Sequence, residues 1–529
     1  MRADQQWGSV PGLVAGAADR FGDAEALVDG PLRLGFAGLA EVAEASTRSA
    51  LAAGLGPGDT AAIWAPNIHE WIAAALGVLG AGGVLVPLNT RFKGREAADI
   101  LGRSRARLLF CVNGFLGNDY PAVLAGAGVA LPDLERIVVL RGEAAEGTQG
   151  WADWLAAGAS VPATEARKRW SAVSADDLSD IIFTSGTTGR PKGAMATHGQ
   201  TLRVFQTWAE VVGLRAGDRY LVVNPFFHTF GYKAGWVACL LQGATIIPQA
   251  VFDVGEAMAR IAEERVTVLP GPPTLFQSIL DSPDRDRYDL SSLRLAVTGA
   301  AVVPVELIRR MRDELTFQTV VTAYGLTEAT GTVTMCRPED DAETIATTSG
   351  RAIPDTETRV VDDGGAPLPS GEAGEVVTRG YHVMRGYLDD PAATAEAIDA
   401  DGWLHTGDIG VMDERGYLRI TDRKKDLFIV GGFNAYPAEI EGVLLRHPGV
   451  SQVAVIGVPD KRLGEVGMAF VVPRPGRTVG GDELIAWARE EMANYKVPRR
   501  VAVVDALPLN ASGKVLKTEL RAAATSTPQ

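Results

Sequence analysis

The sequence has few cysteines and few histidines for its length, and these shortages exclude several kinds of site. Three cysteines, Cys111, Cys239 and Cys336, and six histidines are spread over 529 residues. The cysteines lie far apart, without the paired spacing that zinc sites and disulfide frameworks require. We therefore expect neither a zinc site nor a disulfide, and a reducing cytoplasm is the expected location.

The chain also lacks an excess of positive charge. Its 51 Lys and Arg residues are outnumbered by 65 Asp and Glu residues, which gives a formal net charge of −14 at pH 7. This acidic balance argues against a nucleic-acid-binding surface and against attraction to anionic lipid. Any anionic ligand must therefore bind at a local cluster of positive groups.

Long apolar segments are scarce as well. The N-terminal stretch MRADQQWGSVPGLVAGAADRFGD has no apolar core of signal-peptide length, so export is not expected. Residues 71–90 are uncharged over a length that could cross a bilayer. Their GAGG run and Pro87 instead predict a helix, a turn and a short buried strand, and we expect no membrane span.

What is present indicates a globular α/β protein. Hydrophobic residues make up 46% and charged residues 22% of a chain that is too long for a single core. Apolar β-rich runs alternate with amphipathic helical patterns, which is typical of a largely parallel sheet covered by helices. The runs read as strands are TAAIWAP, RARLLFCV, RIVVL, RYLVVNPF, ATIIP, VTVLPG and LRLAVTGA.

The pattern changes in the last third of the chain. From Arg351 onward, two short strand patterns flank a Pro/Gly turn, which predicts a β-subdomain. The last hundred residues or so contain their own strands and a helix. We therefore expect a large N-terminal domain of parallel and mixed sheets over residues 1–424, and a small mobile α+β domain over residues 425–529.

The stretch FTSGTTGRPKG, residues 183–193, is the first with an evident chemical use. Glycines and hydroxyls follow an apolar strand and accompany Arg190 and Lys192, a combination that favours a phosphate chain. The spacing differs from the P-loop of nucleoside triphosphatases, because Pro191 precedes the lysine and Gly193 follows it. A surface hairpin without a ligand is the alternative interpretation.

Four further stretches follow in order along the chain. They are AYGLTEAT at 323–330, GWLHTGD at 402–408, TDRKKD at 421–426 and LPLNASGK at 507–514. Each alone could be an ordinary turn, helix face or exposed lysine. In this order and spacing the five motifs resemble the acyl-adenylate-forming superfamily, which includes acyl-CoA synthetases, peptide-synthetase adenylation domains and firefly luciferase. The resemblance covers nearly the whole chain.

The resemblance implies an ATP site and a bound Mg²⁺. It places Tyr324 against adenine, Thr327 on the α-phosphate, Asp408 and Arg423 on the ribose, and Glu328 on the metal. Thr184, Glu328 and Lys514 are the expected catalytic residues. The full expected ATP site is Thr184, Ser185, Gly186, Thr187, Thr188, Gly189, Lys192, Gly299, Ala300, Ala301, Tyr324, Gly325, Thr327, Asp408, Arg423 and Lys514.

The resemblance also implies two half-reactions in one site. Lys514 is expected to bridge the carboxylate and the α-phosphate while the acid displaces pyrophosphate from ATP. Lys425 matches the hinge about which the small domain then rotates. That rotation is expected to bring Gly431, Gly432 and Phe433 beside the thiol of CoA, which expels AMP.

The resemblance therefore predicts an ATP-dependent carboxylic acid:CoA ligase with Mg²⁺ as cofactor. His228, Tyr232 and Lys233 are the polar candidates in the acid pocket, although a histidine between aromatics is also common in a packed core. The pocket stretches look closest to ligases of bacterial steroid degradation that activate a hexahydroindanedione propanoate. Alternatives are a medium-chain fatty-acid or aryl-acid ligase, an adenylation enzyme loading a separate carrier protein, and a catalytically idle nucleotide-binding module. Homo-oligomerisation stays open.

Overall fold

The computed structural model describes most of the chain. For residues 422, 423, 433, 434, 525 and 526 it describes the backbone alone. The described ranges are 1–184, 191–299, 303–423, 426–430, 433–460, 462–492, 494–509 and 515–526.

An eight-stranded sheet forms the centre of the larger part of the molecule. Six neighbouring strands are parallel, and the two at one edge are antiparallel to their neighbours. The strand order is Gly386–Tyr387, Lys192–Thr197, Leu178–Thr184, Val84–Pro87, Thr60–Trp64, Leu108–Cys111, Arg136–Val139 and Gln149–Gly150. The four middle strands of this order are buried on both faces over most of their length, as expected for parallel strands covered by helices.

Two four-stranded sheets are joined through the segment around Val268. Val268 forms parallel bridges with Tyr220 on one side and Leu295 on the other. The predicted strand VTVLPG therefore lies between the two sheets, and the N–H groups of its Leu269 and Gly271 also donate to the carbonyls of Leu295 and Val297. One sheet has the order Arg219–Val222, Thr245–Pro248, Glu25–Asp29 and Leu32–Gly35, and the other Leu295–Gly299, Thr319–Tyr324, Thr334–Met335 and Arg351–Ala352.

Helices pack around these sheets and contribute to one continuous hydrophobic core. A π-helix, Tyr232–Val237, interrupts the helical segment that begins at Thr229. The α-helices are Ala3–Gln6, Val10–Phe21, Phe36–Ala52, His69–Gly80, Gly94–Ser104, Tyr120–Ala125, Trp151–Ala157, Ala163–Ala172, His198–Val212, Thr229–Gly231, Ala238–Gln242, Val254–Glu264, Pro273–Leu280, Val305–Glu314, Ala342–Thr347 and Pro391–Ala397. The 3-10 turns are Gly158–Ser160, Arg285–Arg287 and Thr327–Ala329, and a small hairpin joins Asn113–Phe115 to Asn118–Asp119.

The expected β-subdomain is an antiparallel four-stranded sheet. Its strands are Thr356–Val361, Ala373–Gly380, Leu404–Met412 and Leu418–Arg423, in that order. The first two are the strands predicted around the Pro/Gly turn. The third strand contains the Thr-Gly-Asp motif and the fourth ends at Arg423, so this sheet presents two of the expected ribose-binding positions.

The C-terminal residues form a separate α+β unit. Its strands are Phe433–Ala435, Phe428–Val430, Gly464–Pro473, Val450–Asp460 and Arg500–Val503, the last parallel to Gly464–Pro473. Its helices are Pro437–Leu444, Gly481–Glu491 and Lys517–Ser526. Two hydrophobic clusters are composed only of residues from Phe428 onward. This second core agrees with a smaller domain, while the boundary at residue 425 stays a prediction.

The uncharged segment at 71–90 adopts the expected helix, turn and strand. The helix His69–Gly80 is buried over nearly its whole length, and Val84–Pro87 follows as a strand of the central sheet. Within the described ranges, none of the helices has the length and apolar character that a membrane span requires. The molecule is thus an α/β protein with mixed sheets, as the sequence predicted.

Candidate active site

The first motif forms the base of a hairpin in the central sheet. The strand Leu178–Thr184 pairs antiparallel with Lys192–Thr197, and Thr184 lies opposite Lys192. The segment that joins the two strands contains the expected phosphate-binding residues. Ser185, Gly186, Thr187, Thr188 and Gly189 lie outside the described residues, and their roles stay predictions.

Glu328 lies at this hairpin although it is distant in sequence. It belongs to the 3-10 turn Thr327–Ala329, which follows the strand Thr319–Tyr324. The Thr184 hydroxyl donates to Glu328 Oε1 at 3.1 Å. Two of the three expected catalytic residues therefore meet in the structure, and their oxygens are of the kind that a hard cation such as Mg²⁺ prefers.

Tyr387 also binds Glu328, and the motifs did not identify it. Its hydroxyl donates to Oε1 of Glu328 at 3.0 Å. Burial, together with the nearby Glu328 carboxylate, raises the pKa of the Tyr387 phenol, so the group stays protonated and able to donate. Tyr387 lies in MRGYLDDP, which is outside the five motifs identified in the sequence.

The positive groups beside the hairpin are held by aromatic rings and a carbonyl. The Lys192 ammonium lies 5.0 Å from the centre of the Tyr387 ring. The Arg103 guanidinium lies 5.2 Å from the Phe183 ring centre and donates to the Pro191 carbonyl at 2.5 Å. Lys192, Arg103 and Pro191 also line a cleft of about 440 Å³. Arg103 lies outside every recognised motif, so sequence patterns gave no indication of its position here.

Tyr324 and Asp408, the residues expected to bind adenine and ribose, are in contact with each other. The Tyr324 hydroxyl donates to Oδ2 of Asp408 at 2.6 Å, and Asp408 is 4% exposed. Its backbone N–H donates to the Thr406 hydroxyl at 3.1 Å. In the β-subdomain Asp408 is paired in register with Arg423. The side chain of Arg423 is outside the description, so its expected contact with ribose stays a prediction.

The expected glycines lie where a side chain would collide with neighbouring backbone. A Cβ on Gly299 would lie 3.0 Å from the Ala323 carbonyl oxygen, and one on Gly325 would lie 2.1 Å from that of Gly331. Gly299 and Ala323 are register partners at the ends of two parallel strands. Small residues therefore allow close backbone approach at this edge. Ala300 and Ala301 lie outside the described residues.

The three polar candidates for the acid pocket have different surroundings. His228 caps the helix Thr229–Gly231, and its Nδ1 accepts from the Phe230 N–H at 3.2 Å. Tyr232 is fully buried and stacks on Trp236 with ring centres 5.0 Å apart. Burial raises the pKa of Tyr232, so its hydroxyl stays protonated.

Lys233 is engaged inside the protein. Its ammonium lies 2.9 Å from Oδ1 of Asp180, and both side chains are only 1% exposed. Burial lowers the pKa of Lys233, and the attraction of Asp180 opposes that effect. Asp180 thus already binds this ammonium, and the expected role of Lys233 as a donor to the acid stays a prediction.

The remaining predicted residues belong to the C-terminal part of the motif series. Lys425, Gly431, Gly432 and Lys514 lie outside the described residues, and Phe433 is described by its backbone alone. Their roles as hinge, CoA contact and catalytic lysine therefore stay predictions.

Comparison with known proteins identifies the family of this chain. The family model described as "AMP-binding enzyme" matches residues 14–388, and the model described as "AMP-binding enzyme C-terminal domain" matches residues 439–514. The two matches include the hairpin, AYGLTEAT and LPLNASGK, while GWLHTGD and TDRKKD lie in the stretch between them.

Two curated relatives and one solved structure align over nearly the whole chain. Ligases named for (7a-methyl-1,5-dioxo-octahydro-1H-inden-4-yl)propanoyl:CoA from Rhodococcus jostii and Mycobacterium tuberculosis are 51% and 52% identical, each covering 97% of this chain and 98% of the relative. The anthranilate CoA ligase AuaEII, solved with anthranoyl-AMP, superposes with a TM-score of 0.88 at 28% identity and 99% coverage of both chains. The chain therefore belongs to the AMP-binding enzyme family.

Proposed function

We propose that this protein is an ATP-dependent acid:CoA ligase that activates the propanoate side chain of a steroid-derived bicyclic diketone. The observation that carries the proposal is the meeting of Thr184 and Glu328 at the hairpin, in a chain 51% identical over nearly its full length to a ligase of that name. The reaction has two steps, and different residues of the site act in each step.

In the first step a carboxylate oxygen of the acid attacks the α-phosphorus of ATP, and pyrophosphate leaves. Lys192 provides positive charge at the end of the loop that is expected to bind the phosphates. Asp408 provides a polar group for the ribose, and Tyr324 provides one for the adenine. Lys514 would neutralise the two anions as they approach, a contact that gains most from a compact cation. The product is a mixed anhydride of the acid with AMP.

Mg²⁺ would be held at Glu328, with the Thr184 hydroxyl beside it. The donor set fits the ion, because a carboxylate and a hydroxyl oxygen lie 3.1 Å apart at the end of the phosphate hairpin. When bound, the ion supplies charge neutralisation for the phosphates. The protein's contribution is to keep the Glu328 carboxylate oriented, which the hydrogen bonds from Thr184 and Tyr387 do.

In the second step the sulfur of CoA attacks the acyl carbonyl and AMP leaves. Rotation about Lys425 would remove Lys514 and bring the Gly431–Gly432 segment to the acyl-adenylate. The acid pocket must hold a wide apolar ring system whose ketone oxygens are remote from the carboxylate. His228 and Tyr232 are the polar groups that we assign to this pocket.

Product analysis tests the proposal. The protein is incubated with ATP, Mg²⁺, CoA and a pool of acids, and pyrophosphate, AMP and acyl-thioesters are measured by mass spectrometry. We expect thiol consumption equal to AMP release. Pyrophosphate exchange without thiol consumption would indicate loading of a carrier protein instead, and no turnover at all would indicate an idle nucleotide-binding module.

The protein's own thiols do not interfere with this assay. Cys111, Cys239 and Cys336 are buried and free. Burial raises the pKa of Cys111 to about 12 and raises those of the other two as well. Little thiolate is therefore present at neutral pH, and the thiol signal reports CoA alone.

A further inference from the structure

Tyr387 occupies a fixed position beside the phosphate hairpin. It ends the two-residue strand Gly386–Tyr387, which pairs antiparallel with Lys192–Thr197 so that Tyr387 lies opposite Ala194. Its backbone N–H donates to the Thr394 hydroxyl at 2.9 Å. The next residue is held as well, because the Leu388 N–H donates to the Gly193 carbonyl at 2.8 Å.

One side chain therefore contacts two charged residues of the predicted MgATP site. The phenol hydroxyl reaches Oε1 of Glu328, and the ring face carries the Lys192 ammonium at 5.0 Å. A ring face attracts a cation through its quadrupole without presenting a counter-charge. Among the described residues, Lys192 makes no ion pair, so the ammonium stays available to an anionic ligand.

Lys192 and Glu328 are neighbours at the hairpin, because the Thr184 hydroxyl contacts the Lys192 carbonyl as well as Oε1 of Glu328. A direct ion pair of the two side chains would use the ammonium and the carboxylate that the phosphates and the metal require. Tyr387 instead holds the carboxylate by its hydroxyl and the ammonium by its ring.

We propose that Tyr387 is a positioning residue of the ligase, which orients Glu328 for the metal through its hydroxyl and holds Lys192 for the phosphates through its ring. This inference rests on the proposed function, because it assigns Tyr387 to the MgATP site of the adenylation step. It predicts that the hydroxyl and the ring have separable effects.

Two substitutions separate these effects. Tyr387→Phe removes only the hydroxyl, while Tyr387→Leu also removes the ring face. Tyr417→Phe is the matched control, since the Tyr417 hydroxyl donates to a carboxylate oxygen of Asp340 at 2.6 Å outside the proposed site. Circular dichroism and the apparent Tm establish that each variant is folded.

The readouts are binding constants measured without acid or CoA. Mn²⁺ binding is followed by electron paramagnetic resonance in the presence of α,β-methylene-ATP, and binding of the same nucleotide without metal is followed by calorimetry. We expect Tyr387→Phe to weaken Mn²⁺ binding about tenfold, in the range for a hydrogen bond to a charged group, with little change in metal-free nucleotide binding. Tyr387→Leu should in addition weaken metal-free nucleotide binding about threefold.

A double-mutant cycle with Glu328→Gln assigns the metal effect to Glu328. In the Glu328→Gln background, Tyr387→Phe should change the Mn²⁺ dissociation constant by less than twofold, because the carboxylate that Tyr387 positions is absent. Mn²⁺ binding by Tyr387→Phe within twofold of wild type, or an equal loss in both Glu328 backgrounds, would overturn the proposal. Because no acid is present, this result is independent of whether the ligase assignment itself holds.

Discussion

Tyr324 and Asp408 are joined by a 2.6 Å hydrogen bond that links the strand Thr319–Tyr324 to the β-subdomain. Asp408 is almost completely buried, yet it is the carboxylate expected to accept two ribose hydroxyls. The tyrosine therefore holds one oxygen of the carboxylate and fixes its orientation before the nucleotide binds. Such preorganisation lowers the entropy lost on binding.

We expect Asp408→Asn to raise the KM for ATP by about ten- to a hundredfold, because hydrogen bonds to a charged acceptor are worth roughly 1.5–3 kcal/mol. Tyr324→Phe should raise the KM for ATP only a fewfold, since the Asp408 carboxylate remains. Initial-rate kinetics with saturating acid and CoA measure both effects. Equal losses in the two variants would contradict the separate roles.

The two half-reactions should be separable by mutation. Lys514→Ala is expected to lose adenylation by about two to three orders of magnitude, because a contact made mainly in the transition state is removed. It should still convert a supplied acyl-adenylate to thioester. Lys425→Pro should do the reverse, since proline restricts φ at the hinge and removes its N–H. Single-turnover assays of each step provide the measurement, and equal damage to both steps in both variants would refute the rotation.

The buried pair Asp180–Lys233 provides a test of stability. Breaking such a pair leaves an uncompensated buried charge, at a cost of about 3–5 kcal/mol, whereas replacing both partners by apolar residues is often nearly neutral. Asp180→Asn and Lys233→Met should therefore each lower the urea-unfolding midpoint strongly. The double variant Asp180→Leu with Lys233→Met should recover most of it. If the double variant instead lowered the unfolding midpoint by the sum of the two single effects, the broken ion pair would not be the cause of the lost stability.

A second polar cluster near the surface gives a pH-dependent prediction. Asp29, His69 and Glu70 lie close enough to hold a metal ion. The guanidinium of Arg141 already binds both carboxylates. Burial raises the pKa of Asp29, but hydrogen bonds from His69 and the charge of Arg141 outweigh it and bring the pKa from 3.8 to about 2.

Because this pKa is lowered in the folded state, its stabilisation is present above about pH 4 and is lost as the pH falls through 2. Asp29→Asn should lower the free energy of unfolding by about 2 kcal/mol at pH 7, and the difference from wild type should fall to roughly half near pH 3. Urea-unfolding curves of both proteins at pH 7, 5, 4 and 3 measure this difference in the free energy of unfolding. A difference that grows with acidity would contradict the assignment.

The sequence predicted the parts of this molecule that depend on local pattern and motif order. The strand Leu178–Thr184 before the Gly/Ser/Thr loop, the buried segment at 71–90 and the β-subdomain follow from periodicity and turn residues. The proximity of Thr184 to Glu328 was implied by the order of motifs. The run VTVLPG pairs with strands on both sides, but only over a short stretch around Val268, because Pro270 and Pro272 lack the N–H groups that a longer strand requires.

Contacts made across the fold could not be predicted in this way. Nothing in the sequence near Lys233 shows that Asp180 lies opposite it, since the two belong to a helix and a strand that meet only in the folded chain. Arg103 and Tyr387 reach the hairpin for the same reason. Residues that position others carry no motif of their own, so a structure is required to find them.

The identity of the acid is the central claim, and a comparison of kcat/KM values tests it most directly. The bicyclic dioxo-indenyl propanoate is compared with octanoate, benzoate and a four-ring steroid acid, each with saturating ATP and CoA. We predict that the bicyclic acid exceeds each of the others by at least about tenfold, equivalent to ~1.4 kcal/mol of transition-state binding. A straight-chain or aryl acid that is preferred by tenfold would contradict the substrate assignment, while thioester formation from it would leave the ligase chemistry intact.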